Sequence, residues 1–487
     1  MRRLDRWLPT YLMDALGRVR AGALRQGRTT HIMFLVCDHF EPRHAATRPE
    51  QPFERLQACH SGYARLQERC RSEIGMAPLH SWFYPPHHGN EHLASLAQMA
   101  FDGLGEVELH YHHDGDTSET LRRDLRATLQ EYNRWGLLLE AGAPPRTRFG
   151  FIHGDWALGN SCGGRYCGVN DELDILREVG CWGDLTMPSG NEAQTRKINS
   201  LYYGRADKSR PKAHDSGPDV RVGTPPPASA LFMMQGPLAL NWRAPGHPRL
   251  ENASLTSSNW GRPDRIPVWL HCNVHVQGRP EWLFVKLHTH GAIERDFDAL
   301  FGEKALAMHR TLGTEFNDGV RFQLHYVTAR QAYNIAKAAE AGLEGNPDQF
   351  LDYAVGRPTT YYYSLDARHV PRICREAGIS LQEIEGDHVM RLRMRHPLLK
   401  ELRGCLRSVE TGSERLSFET ADVSGQVLLE TREHVEAAQV RLEGLELVNA
   451  TETPGGTHFV LRATSTRSTM SFADAGVGKM DGVLLCF

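Results

Sequence analysis

A chain of 487 residues is longer than one ordinary core organises, since domains run to roughly 100–200 residues and an α/β barrel to about 250. With 40% hydrophobic and 24% charged residues and a formal net charge of -3, it has the balance of a globular protein and no general attraction for nucleic acid. No stretch approaches the ~20 apolar residues of a bilayer span, and the ten cysteines form no spaced framework, so a reduced, cytoplasmic setting is expected.

Residues 1–30 read as a basic amphipathic helix. Leu4, Trp7, Leu8, Tyr11, Leu12 and Leu16 recur at helical spacing among Arg2, Arg3, Arg6, Arg18 and Arg20. Such a helix packs on its own domain or lies on an anionic membrane surface, and peripheral contact at the inner membrane face through residues 1–25 is kept as an expectation. No apolar segment with a small-residue cleavage site stands here. From residue 31 to about 345, short apolar runs alternate with helical patterns. "HIMFLVCDH" predicts a strand, residues 53–71 a helix, "HSWFYP" a strand, Leu93–Phe101 a helix and "EVELHYHH" a strand. Ser118 to Leu139 reads as a helix with Thr117 or Ser118 as its N-cap. "RFGFIHGDW", a helix at Asp171–Val179 and "CWGDLTMPS" follow. Residues 205–265, rich in Pro, Gly and Ser, read as a long insertion or lid. Beyond them "RIPVWLHCNVHV" and "EWLFVKLHTHG" look like further strands, and Thr328–Leu343 closes the unit as a helix. Strand and helix in alternation imply parallel strands joined by crossovers, in a barrel or an open sheet, with the site at the strands' carboxyl ends. A helical connector over 346–389 leads to a β-rich domain over 390–487, whose short segments are spaced by turn residues.

Histidine is the unusual component, with 25 copies that cluster at His87/His88/His92, His110/His112/His113, His271/His275 and His288/His290. Imidazole is the commonest protein metal ligand and a common acid or base. In a strand His110 and His112 share a face, which suits a zinc-type site; hydrogen bonding to nearby carboxylates is the plainer reading. Asp114 follows where the chain turns outward. His288 and His290 repeat the device, and one of them can protonate a leaving amine. At the end of the first strand Asp38 can act as base and His39 as ligand. Glu41 is read as a second carboxylate or as a solvated side chain, the latter preferred. His153 and Asp155, with Trp156 offering a flat apolar face, are candidates for binding a sugar, and so are Asp184 and Arg196. Cys162 and Cys167 are spaced CX4C with no second pair downstream, so structural zinc is not expected there.

The order of these pieces resembles the NodB-type polysaccharide deacetylases, the carbohydrate esterase family 4 superfamily, over residues 31–345. "VCDHFEP" stands where that family has its Asp-Asp pair, "ELHYHHDGD" where it has His-x-x-x-His, "FGFIHGDWALGN" and "CWGDLTMPS" in the next two places and "VKLHTHG" at its late Leu-x-His. The letters depart: His39 replaces the metal-binding Asp, Asp114 stands four residues after His110, and no Arg-x-Pro-Tyr is present. The resemblance implies a distorted (β/α) barrel and a divalent metal, zinc first with manganese or cobalt as alternatives, held by His39, His110 and one of His112, His113 or Asp114. Asp38 would then be the base and His288 or His290 the acid, removing N-acetyl or O-acetyl groups from a carbohydrate. A lipid-linked or nucleotide-linked sugar of surface-polysaccharide assembly is the substrate this suggests. Two rivals stand beside it. One is a glycoside hydrolase pairing Asp38 with Asp155 or Asp184, and the other is a catalytically silent sugar-binding protein.

Overall fold

The computed structural model describes residues 3–140, 146–242, 244, 246, 249–358, 379–385, 388–394, 399–411, 415–420, 426–432, 434–453, 456–465, 467–472 and 483–486. The chain divides into two compact units, residues 1–133 with 138–357, and residues 134–137 with 358–487.

The larger unit is built on a nine-stranded sheet. Its strands are β1 (Thr30–His39), β2 (His80–Tyr84), β3 (Gly105–Tyr111), β4 (Phe149–His153), β5 (Cys181–Asp184), β6 (Leu201–Gly204), β7 (Leu231–Met234), β8 (Trp282–Thr289) and β9 (Phe322–Tyr326). They run in the order β8-β1-β2-β3-β4-β5-β7-β6, with β9 also paired to β1. Every pairing is parallel except β6 with β7. The helices are α1 (Leu4–Met13), α2 (Ala15–Leu24), α3 (Gln51–Ile74), α4 (Leu93–Phe101), α5 (Ser118–Asn133), α6 (Glu172–Glu178), α7 (Ile266–His271), α8 (Phe297–Leu300), α9 (Glu303–Glu315) and α10 (Ala329–Glu340).

β1 is apolar from Ile32 to Cys37 because both of its faces are covered there, the pattern of a central parallel strand. Met33, Leu35 and Cys37 enter one core with Ala332, Ile335 and Ala336 of α10. Ile32, Phe34 and Val36 enter a second with Trp269 of α7 and Met308 and Leu312 of α9. That two-residue alternation carries on past the core, so Asp38 and His39 leave the strand on opposite faces. Local signals fix the helix ends. Thr117 Oγ1 accepts from the Thr120 amide at the start of α5, α3 stops at Gly75 in a left-handed conformation, and Thr328 and Gln331 form a capping box on α10.

Several expectations change. A barrel would join its first and last strands, but among the described residues the pairing is an open path from β8 to β6, and β6 lies antiparallel to its neighbour. The apolar run "RIPVWLHCNVHV" holds the helix α7 where a strand was expected. Residues 205–265 are not a free lid: they supply β7 and a two-stranded ribbon, Ala239–Asn241 with Arg249–Glu251. The ribbon is fastened by a buried bidentate pair in which Arg265 donates to both oxygens of Glu251 at 2.7 Å. The single N-terminal helix is two, parted at Asp14, with Trp7 and Tyr11 packed into the larger core and Leu12, Met13, Leu16 and Val19 exposed. Of the helical connector, Pro347–Phe350 forms a 3-10 turn, residues 359–378 lie outside the described residues, and Ile379–Glu385 is already a strand. Among the described residues no helix is long and apolar enough to cross a membrane.

The second unit is a ten-stranded antiparallel sheet whose strands run from Ile379 to Cys486. Val427, Leu429 and Thr431 alternate with more exposed neighbours along one strand, and Phe459, Leu461 and Ala463 do so along the next, as one-sided burial requires.

Candidate metal centre and active site

The carboxyl ends of β8, β1, β2 and β3 lie side by side, the edge of a parallel sheet where ligands are bound. His110 and His112 face the same way, two residues apart. His110 Nδ1 donates to the Ile152 carbonyl at 2.9 Å, so its Nε2 keeps a bare lone pair. His112 Nδ1 donates to Asp155 Oδ2 at 3.2 Å, so in the neutral ring its Nε2 is bare as well, and in the protonated ring it donates to Glu41. These two nitrogens confront each other at 3.0 Å. Glu41 Oε1 lies 3.2 Å from His112 Nε2 and 3.8 Å from His110 Nε2. Three electron-pair donors converging on one point repel unless a cation or proton lies between them. Two imidazoles with a carboxylate, their outer nitrogens held by hydrogen bonds, are the donor set of a catalytic zinc-class site. The chemistry of the residues therefore fits a divalent metal.

Glu41 is 7% exposed. Burial works to raise its carboxyl, but hydrogen bonds from His112 and His290 and the nearby His110 outweigh it and hold the group well below the usual carboxylate range. Its second oxygen, Oε2, accepts from His290 Nδ1 at 3.2 Å. The His290 side chain keeps 35% exposure, so its ring reaches the opening while held at one nitrogen. The His39 ring is 4.8 Å from both the His110 and His290 rings and 5.9 Å from Trp156. Burial, with these imidazoles around it, keeps His39 neutral. Half-buried His288, its ring 6.2 Å from that of His39, is pushed down to about 3 by burial and then by Lys286. His87 stacks edgewise on His112 at 4.8 Å, and His88 accepts from the Arg43 amide. Together with Glu41 these two offer another possible three-donor group.

The loop after β4 completes the wall. Asp155 and Trp156 are consecutive non-glycine residues in the left-handed region, φ 52° and 57°, a conformation that costs on the order of 1–2 kcal/mol per residue. The strain places the Asp155 carboxylate against His112 and the half-buried Trp156 ring beside His39 and His290. Gly154 lets the loop pass under His112: a Cβ there would come within 2.3 Å of the ring.

Of the residues singled out in the sequence, the structure gathers His39, His110, His112, His288, His290, Asp155 and Trp156 around this centre. Others lie elsewhere. Asp38, on the opposite face of β1, accepts from the Gly291 amide at 2.6 Å and bonds His80 at 2.9 Å. Asp114 accepts from the Tyr166 amide. Asp184 is buried and accepts from the Thr186 hydroxyl, its carboxyl pushed up to about 7 chiefly by burial. Arg196 is exposed and paired with Asp215. His153 faces away from the centre, toward His113. The carboxylate at the centre is Glu41, for which a solvated position was preferred. Its one legible signal was its place just past the first strand, two residues beyond His39.

No family model matches the chain, and no curated protein does. A solved structure that it resembles is that of a Mycobacterium smegmatis protein provisionally described as a polysaccharide deacetylase. The identity is 13%, the match covers 64% of this chain and 91% of that one, and the TM-score is 0.35.

Proposed function

We propose that this centre is the active site of a metal-dependent hydrolase that removes acetyl groups from a sugar. The observation that carries the reading is the pair of bare imidazole nitrogens facing each other beside Glu41. The order of motifs over residues 31–345 supplies the substrate class. Glu41, His110 and His112 would hold the ion. A divalent metal, when bound, polarises a carbonyl and lowers the pKa of a coordinated water.

The chain's own residues supply the rest. With Nδ1 committed to Glu41, His290 has Nε2 free to accept a proton from the attacking water and return it to the departing sugar amine. Asp38 holds the Gly291 amide, and through it the loop carrying His290, so it is a positioning residue here. Trp156 offers the flat face on which a sugar ring packs. Asp155 fixes the His112 ring. A paired-carboxylate glycosidase draws less support, because Asp38 and Asp184 are each buried in separate hydrogen-bond networks. An N-acetyl sugar on a lipid or nucleotide carrier, as used in surface-polysaccharide assembly, is the first substrate to assay.

The test compares wild type with folded His110→Ala and His290→Ala variants. His110→Ala is expected to lose the ion of this centre together with acetate release. His290→Ala is expected to keep the ion and lose roughly 10²–10⁴-fold in kcat, the usual worth of a general acid or base. Acetate release that survives both chelation and His110→Ala would overturn the proposal.

A further inference from the structure

One residue beyond His112, on the other side of the chain, a second convergence has no part in the mechanism above. His113 Nδ1 donates to Asp116 Oδ2 at 2.9 Å and His153 Nδ1 donates to the Gly154 carbonyl at 2.5 Å. Each imidazole is thereby left with a bare Nε2. Those nitrogens face each other at 2.9 Å, and Glu172 Oε1 lies 3.3 Å from both. Cys167 Sγ is 3.5 Å from Glu172 Oε2, and one donor atom from each of the four side chains falls within 4.8 Å of all the others. His153, Cys167 and Glu172 are wholly buried.

We infer that His113, His153, Cys167 and Glu172 form a second, structural metal site that takes zinc. Two imidazoles, one thiolate and one carboxylate fill a tetrahedron with no place left for water, the mark of a structural site and not a catalytic one. Bonds of about 2.0–2.3 Å in a tetrahedron put the donor atoms roughly 3.3–3.8 Å apart, so the imidazole pair at 2.9 Å would open by a few tenths of an ångström and the widest donor pairs, which lie within 4.8 Å, would draw in by up to about 1 Å. Sulfur among the donors favours zinc over magnesium or calcium. The outer contacts are in place: the Asp116 carboxylate behind His113 is the usual partner of a zinc-bound histidine, and Glu172 Oε2 accepts from the Gly159 amide at 2.6 Å. On binding, the Cys167 thiol gives up its proton to solvent, and its lone pair forms the metal bond. Cys167 acts with His113, two residues past β3, with His153 at the end of β4 and with the first residue of α6, and Cys162, its CX4C neighbour, is not in the group. The site ties the exits of β3 and β4 to the loop that carries Asp155 and Trp156, so it would brace the active centre without touching substrate.

The experiment uses full-length protein stripped of metal and reloaded with cobalt(II), then with zinc. Wild type is expected to show the near-ultraviolet sulfur-to-cobalt charge-transfer band and to bind about two equivalents of metal. Cys167→Ser is expected to lose the band and one equivalent, and to unfold at lower temperature. His110→Ala, which empties only the first centre, should keep the band while losing its own equivalent, so failure at one site is read separately from failure at the other. If wild type reloaded with cobalt shows no sulfur band, the inference falls, whatever the variants do. The four side chains are then a buried imidazole pair sharing a proton beside Glu172.

Discussion

Single atoms decide whether the first centre assembles. Gly154→Ala would drive a Cβ to within 2.3 Å of the His112 ring, and the ring, not the strained loop, is the part that can yield. Metal affinity is expected to drop about 10–100-fold, the usual cost of misdirecting a ligand, with the fold intact. Metal titration beside a melting curve checks this, and an unchanged affinity would show that the loop gives way. Asp155→Asn asks the same of the hydrogen bond at the ring's other nitrogen and should fall in a similar range. At this scale the sequence was only partly readable. His110 and His112 announced themselves by two-residue spacing on a strand. Glu41 did not, because its burial is set by His110, His112 and His290, which lie far away in the chain. Asp38 and His39 are neighbours in sequence and yet serve opposite faces, a consequence of the pleat that only the packing of Phe34 and Leu35 into separate cores makes definite.

Elements were legible where periodicity was long and unlegible where it was short. The helices at 53–71 and 93–101 and the strands ending at His39 and Tyr84 are found within a few residues of their expected limits. β6 and β7 have four residues each in a stretch dense with proline and glycine, too short for a pattern to show. α7 was mistaken for a strand because a short, wholly apolar run has no polar face to reveal its period. Two joints between elements make quantitative targets. Thr328→Ala removes the α10 cap and also the hydroxyl that donates to Glu106 at 2.6 Å. It should cost about 1–2 kcal/mol in urea unfolding while leaving kcat unchanged. Arg265→Met strands the Glu251 carboxylate, which is 2% exposed. A loss of roughly 3–5 kcal/mol is expected, and a loss below about 1 kcal/mol would mean that the ribbon is not held by this pair.

For the molecule as a whole, buried histidines set the response to acid. Burial pushes His214, a neighbour of the second cluster, down to about 4 and His309, away from both clusters, down to about 3. Half-buried His31 is lowered to about 4 by burial and by His325. In the unfolded chain each titrates near 6.5, so between that value and the folded one the unfolded chain binds more protons. Their contribution to stability is therefore complete above pH ~6.5 and is lost as pH falls toward 4 and then 3. At pH 5 each fully buried ring would cost up to about 2 kcal/mol. Urea midpoints taken with a chelator present should be lower at pH 5 than at pH 7.5, and equal midpoints would contradict the assignment.

The peptide bond between His112 and His113 carries a further implication, for anyone editing this sequence. The two side chains serve different clusters, one on each side of the backbone. A one-residue deletion upstream in β3 would put His113 in the place of His112, facing Glu41, with Asp114 in the place of His113, and an insertion would put His112 in the place of His113 with Tyr111 facing Glu41, so either change breaks both donor sets. Length changes in this segment should therefore be tolerated far less well than substitutions, and a deletion scan from Gly105 to Tyr111 would fail as a block.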